Sequence, residues 1–267
     1  MAKDIPSEEH DIFRDPLLTQ SSKEDPLVRF VLKWWQHILV AVVVVFAGWY
    51  MYSRYTETQL AGLRRSADLF YGVRNSLSDL QRLRGEFEAK QGKDKKGRQE
   101  TQKKIKEKYD ELRHKLEALS DRKYPYDRFA QLYKGLMLLS VDGVIKEEGD
   151  ISPKEQGIKE LTSLYGSLSV AKDKAGAFIS EAARLAVAKA MLDRKESRQK
   201  GRKELLLLAK NSRYVLVPAA LALARSSNTD SERSESLNVL QQIDKSHPEQ
   251  HDLIKDELKH LSAVVEN

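Results

Sequence analysis

"EAARLAVAKAMLDRKESRQKGRKELLLLAKNS", residues Glu181–Ser212, holds an alanine-rich segment, a short polar break and a leucine-rich segment. Ala183, Ala186, Val187 and Ala190 recur at helical spacing and share one face of a helix. Shifted by 34 residues, the pattern returns. Ala183 aligns with Val217, Ala186 with Ala220, Val187 with Leu221 and Ala190 with Ala224; further on, Leu205 aligns with Val239, Leu206 with Leu240 and Ala209 with Ile243. Every pair is apolar. Thirty-four residues and two helices per unit is the tetratricopeptide period. Alanines suit it, because a helix that closely approaches its neighbour has no room for bulk at the crossing. A generic helical bundle with coincidentally matched loops is the alternative, since the signature's aromatic and proline positions are missing.

Working outward, amphipathic periodicity predicts helices over Tyr126–Val141, Pro153–Leu168, Ala177–Asp193, Gln199–Lys210, Val217–Arg225, Asp230–Asp244 and His247–Ala263. Capping boxes at Ser152/Glu155, Thr229/Glu232 and Ser246/Glu249 fix three of the starts. Pro153 stands at a first helical position, where its missing N–H costs nothing. Tyr126–Leu168 reads as an earlier, irregular unit, with Gly135 as a close-approach position and a lengthened loop "DGVIKEEGDIS". The last helix caps the stack. Residues 124–267 are therefore expected to form a tetratricopeptide-like α-solenoid.

Residues 56–123 have a different pattern. Leu60, Leu63, Ala67, Phe70, Val73, Leu77, Leu80, Leu83 and Phe87 recur every three or four residues along one long helix. "QGKDKKGRQ" (Gln91–Gln99) interrupts it with two glycines and charge. Ile105, Tyr109, Leu112, Leu116 and Leu119 then form a second stripe, and Pro125 closes the segment. Two stripes joined by a short polar turn predict an antiparallel helical hairpin; the same stripes would also serve a parallel coiled-coil dimer. Residues 90–123 carry thirteen Lys/Arg against seven Asp/Glu, which matches the +6 of the entire chain. The basic tip lacks aromatics for base stacking, so no nucleic acid is expected. It would stand roughly 55–60 Å along a helix from the apolar run near the N-terminus, far outside a Debye length of about 8 Å.

That run is "WWQHILVAVVVVFAGWYMYSRY", Trp34–Tyr55. The fifteen residues Ile38–Tyr52 carry no charge. They are few for a bilayer span of about 20 residues, but Trp34, Trp35, Trp49, Tyr50, Tyr52 and Tyr55 place aromatic rings at both ends. Lys33 and Arg54 can extend outward from the two edges. We expect a single transmembrane helix over residues 26–55. A buried core helix and a cleaved signal are the alternatives. The first would not collect aromatics at both ends, and the second would not follow so long an acidic leader. Residues 1–25 carry three basic and seven acidic side chains with Pro6 and Pro16, and read as a flexible tail. Basic residues on either side of the span are nearly equal, so charge does not orient it.

With only seven prolines, thirteen glycines and no alternating apolar run, the 267-residue chain is expected to be all-α. The absence of cysteine excludes disulfides and thiolate chemistry. No phosphate-binding glycine loop, nucleophile elbow or zinc-protease motif occurs. His247 and His251 are four apart, half a zinc site at best. The reading is therefore no enzyme, no cofactor and no metal.

One membrane helix followed by a degenerate repeat domain resembles the YfgM-like family of bacterial inner-membrane proteins, ancillary subunits of the Sec translocon. The resemblance rests on "ILVAVVVVFAGWYMY" followed directly by a helix, and on Glu181–Ser212. The long tail and the charged hairpin of residues 60–121 depart from that family. The resemblance implies a cytoplasmic N-terminus, a periplasmic helical domain, and partners such as translocon subunits or a membrane-anchored chaperone. A membrane-tethered protein-interaction module is thus the leading expectation, and a structural scaffold that oligomerises through the hairpin is the alternative. The residues expected to meet a protein partner are Tyr133, Arg184, Lys189 and Tyr214, on the first helices of the stack.

Overall fold

The computed structural model describes residues 26–90, 94–145, 151–170 and 173–265, with side chains described from residue 44 to residue 264. The expected acidic tail over residues 1–25 lies outside the described residues. Among those described there are nine α-helices, one 3₁₀ turn and no strand. In chain order they are α1 (Pro26–Ala89), α2 (Lys95–Ser120), α3 (Tyr126–Val141), α4 (Pro153–Ser167), α5 (Lys174–Leu192), α6 (Lys195–Asn211), α7 (Leu216–Arg225), α8 (Asp230–Ser246), the 3₁₀ turn Pro248–Gln250 and α9 (His251–Val265). Compact packing divides the chain into two units, residues 1–64 and 65–267.

In the first unit, most side chains from Val44 onward face solvent. Val44, Val45, Phe46, Trp49, Tyr50, Met51, Tyr52 and Tyr55 are all 61–74% exposed. No helix among the described residues is long and apolar enough to cross a membrane. The first part of the charge-free run, residues 38–43, lies where side chains are not described. The described residues therefore do not by themselves supply the membrane helix expected at 26–55. Leu60 and Leu63, expected to open the hairpin stripe, are 53% and 57% exposed. The reason is one of length. α2 has 26 residues against the 64 of α1, too few to cover that stretch.

In the second unit, the two hairpin stripes pack on each other. Val73, Leu77, Leu80 and Phe87 share one buried cluster with Ile105, Tyr109, Leu112, Leu116 and Leu119. The direction is antiparallel, as polar contacts along the seam record. Lys115 Nζ donates to Ser76 Oγ at 2.9 Å, Lys108 Nζ lies 3.8 Å from Asp79, and Lys90 Nζ donates to Thr101 Oγ1 at 3.0 Å. Glu111 accepts from both Lys108 and Lys115, and those bonds hold its pKa down at about 2. The α2 N-terminus is capped by Asp94, whose carboxylate accepts from Gly97 N.

From α2 to α9 each helix packs on its successor, and α3 also meets α5 as α7 meets α9, a solenoid-like order. Glycines set the closest crossings. A Cβ on Gly135 would stand 2.5 Å from Leu161 Cγ, and one on Gly201 would stand 2.7 Å from the Ala188 carbonyl oxygen. Of the residues aligned at a shift of 34, Ala183, Val187, Ala190, Leu205 and Ala209 are buried, as are Val217, Ala220, Ala224, Val239, Leu240 and Ile243. Ala186, Leu206 and Leu221 are only partly covered.

At two of the expected capping boxes the N-cap half forms. Ser152 accepts from Glu155 N and Thr229 from Glu232 N. At the third it does not. Ser246 is the last residue of α8 and donates its hydroxyl back to the Gln242 carbonyl at 2.8 Å, while His247 N bonds to Ile243 O. The helix outruns its expected end by two residues, and Pro248 opens a 3₁₀ turn.

Candidate functional site

Helices α1, α3, α5 and α7 border two open grooves in the second unit. The first, about 550 Å³, has walls from α1 (Gln81, Arg84), α3 (Leu136, Leu139) and α5 (Leu185, Ala186). The second, about 610 Å³, lies between α5 and α7, against Leu192, Leu221 and Ala222. Lys189 and Asp193 line both. The volumes fall within the ~300–1,000 Å³ common for binding sites. The alanine pattern of α5 opens the space. Ile179, Ala183, Val187 and Ala190 face the core, which leaves the small Ala182 and Ala186 beside Leu185 on the groove side.

Most cations around the grooves are already held. Arg84 donates Nη1 to the Leu139 carbonyl at 2.7 Å and Nε to Glu88 at 2.8 Å. The acceptor lies in the last turn of α3, where helix carbonyls lack intrahelical partners and positive charge is favoured. Lys154 Nζ meets Asp193 at 2.6 Å, Arg198 meets Glu232 at 3.0 Å and Arg225 meets Glu257 at 3.1 Å. Lys189 differs. Among the described residues it has no carboxylate within 4.0 Å and no hydrogen bond. Its side chain is exposed, but partial desolvation, with the like charge of Arg225, lowers its pKa from the usual lysine value. Asp142, at the C-cap of α3, lines the first groove and makes no ion pair among the described residues either.

A row of rings links α1, α3, α5 and the approach to α7. Phe70 of α1 meets Phe129 of α3 at 4.9 Å, Phe129 meets Phe178 of α5 at 6.2 Å, and Phe178 meets Tyr214, just before α7, at 5.9 Å. Two contacts are edge-on and one is tilted, geometries that favour ring pairs.

The four residues singled out in the sequence fall in three places. Lys189 lines both grooves. Tyr133 is half-buried, edge-on to Phe70 at 5.7 Å, and burial raises the pKa of its hydroxyl. Tyr214 closes the aromatic row, and Arg213 lies 5.6 Å over its ring. Its amide donates to Glu181 at 2.8 Å, fixing the approach to α7. Arg184 pairs with Glu204 of α6 at 2.5 Å. Sequence reasoning missed the row Phe70–Phe129–Phe178 and the wall Leu136–Leu139–Leu185. The rings follow no constant period, so only the packing brings them together.

Other polar clusters are structural. Arg202 is 4% exposed and ties α6 to α7 and α8. His247 pairs with Glu249 and His251 with Asp244. Among the described residues no three potential ligands converge as a metal site. Comparison with known protein families, curated proteins and solved structures gives no match.

Proposed function

We propose that this chain is a membrane-tethered protein-interaction module, in which the N-terminal part of α1 anchors the chain and the groove bordered by α1, α3, α5 and α7 takes a segment of another protein. The observation that carries the reading is the conjunction of Val44–Tyr55, apolar and aromatic side chains left in solvent, with an open, largely apolar groove in the packed unit. A contiguous apolar surface of that kind is unfavourable in water and signals a lipid or protein environment. Aromatic residues at its end suit a bilayer interface. A tether would concentrate the groove beside membrane partners.

Following the family resemblance, the proposal extends to a bacterial inner-membrane protein with a cytoplasmic N-terminus and a periplasmic tetratricopeptide-like domain, an accessory to protein translocation or envelope protein folding. Its partners would be translocon subunits or a membrane-anchored chaperone. The scaffold alternative is weakened, because the hairpin stripes bury each other within one chain.

Extraction of membranes with alkaline carbonate tests the anchor: the full chain should stay in the pellet, and release into the supernatant would refute it. Photo-crosslinking from position 185 in intact cells tests the groove and the orientation together. Envelope proteins are the expected catch, and recovery of cytosolic proteins alone would overturn the orientation.

A further inference from the structure

Lys189 lines both grooves, so a bound segment that runs from one to the other would pass it in mid-course. Its surroundings are unusual for a lysine. Leu185 and Ala186 precede it on the same groove wall, with Leu136 and Leu139 across from them and Leu192 and Leu221 on the far side. Every other cation lining the grooves has a carboxylate partner: Arg84 has Glu88, Lys154 has Asp193, Arg198 has Glu232 and Arg225 has Glu257. Those ion pairs leave Lys189 as the one cation lining the grooves without a carboxylate partner among the described residues. Asp142 makes no contact with it within 4.0 Å. Lys189 is exposed, yet partial desolvation and the like charge of Arg225 both disfavour its charged form, which an opposite charge close by would favour. A ligand carboxylate would supply that charge.

We infer that the segment bound in this groove is an extended acidic-apolar peptide, with an internal Asp or Glu side chain seated on Lys189 and aliphatic side chains on both sides packed against the leucine walls. The inference rests on the groove reading above and adds the chemistry of its occupant. A side-chain carboxylate fits better than a chain terminus because Lys189 lines both grooves, and a terminus there would leave one empty. Affinity would come from the apolar contacts, and selection from the single charge.

The test uses the full chain in detergent micelles. The probes are two pools of acetylated, amidated nonapeptides with a Ser-Gly solubility tail, Leu, Val or Ala at eight positions, and either Asp or Asn fixed at the centre. Amidation leaves the Asp pool a single carboxylate. The Asp pool should bind about tenfold or more tightly than the Asn pool, the scale of a charge-assisted hydrogen bond. Lys189→Met should bring the two pools to equal affinity, and Lys189→Arg should restore the preference. Circular dichroism on each variant checks folding. Equal binding of both pools to the unaltered protein, abolished by Leu185→Glu, would overturn the carboxylate inference and leave the groove standing. So would a preference for Asp that survives Lys189→Met. Absence of binding by both pools at millimolar concentration would refute the groove and the inference with it.

Discussion

Arg202→Met should cost about 2 kcal/mol of stability, less than buried-charge arguments first suggest. Removing one partner of a buried ion pair usually costs roughly 3–5 kcal/mol, because the other charge is left buried and alone. Here the partners are insured. Arg202 donates to the Leu223 carbonyl at 3.1 Å and Ser226 Oγ at 2.9 Å, and meets Glu232 at 3.3 Å and Glu235 at 3.4 Å. The Leu223 carbonyl also accepts from Ser226 and Ser227. Glu232 keeps Arg198 at 3.0 Å and the Asn228 amide at 2.7 Å. Glu235 is 47% exposed and can return to water. Methionine preserves much of the aliphatic stem. Arg198→Met should cost about 1–2 kcal/mol by the same reasoning, since Glu232 then keeps Arg202. The double variant removes both cations from a carboxylate only 13% exposed, so its cost should exceed the sum of the singles by about 1 kcal/mol or more. Urea unfolding of the full chain, followed by circular dichroism, measures each midpoint at constant slope. A double variant that is merely additive, or a single Arg202→Met shift below about 0.5 kcal/mol, would refute the reasoning.

The same node sets an acid response. Hydrogen bonds from Arg198, then the Asn228 amide and the Arg202 charge, hold Glu232 down at about 2 from 4.5. A depressed carboxylate stabilises the fold fully above pH 4.5, and its contribution of about 2–3 kcal/mol fades as pH falls toward 2; Glu232→Gln should flatten that part of a stability-against-pH curve. Gly201→Val should destabilise by about 1–3 kcal/mol, because a Cβ would meet the Ala188 carbonyl at 2.7 Å and Met191 Cβ at 3.0 Å; thermal melting reads the loss. Leu112→Ala, at a fully buried hairpin position, should cost about 2–5 kcal/mol, whereas Leu60→Glu with Leu63→Glu should change the melting of the second unit by under about 0.5 kcal/mol.

That last contrast marks where sequence periodicity stops being informative. The stripe reads identically at Leu60 and at Leu80, because periodicity reports which side a residue lies on and not whether anything covers it. Coverage depends on the length of α2, which starts only at Lys95, after its N-cap Asp94. The core of α5 to α8 was legible for the opposite reason: those helices are short, similar and successive, so each stripe has a neighbour within one repeat. The register even extends to charge, since Arg198 and Glu232 are themselves 34 residues apart. Ser246 misled because a capping box is a local pattern, and local hydrogen bonding to Gln242 satisfied the same hydroxyl from inside the helix.

Lys189 could be named from the sequence but not distinguished from the forty-five other cations. Its distinction is relational. It exists because Arg84, Lys154, Arg198 and Arg225 each find an acceptor, and those acceptors lie four residues away in one case and 32 to 39 in the others. Only the four-residue pair follows from helix spacing; the longer ones require the helices to be stacked first. A site defined by the one groove cation without a carboxylate partner can be read only after the other cations lining the grooves have been paired. For that reason the sequence could expect a protein-binding face on these helices, while the packing was needed to single out the chemistry at its centre.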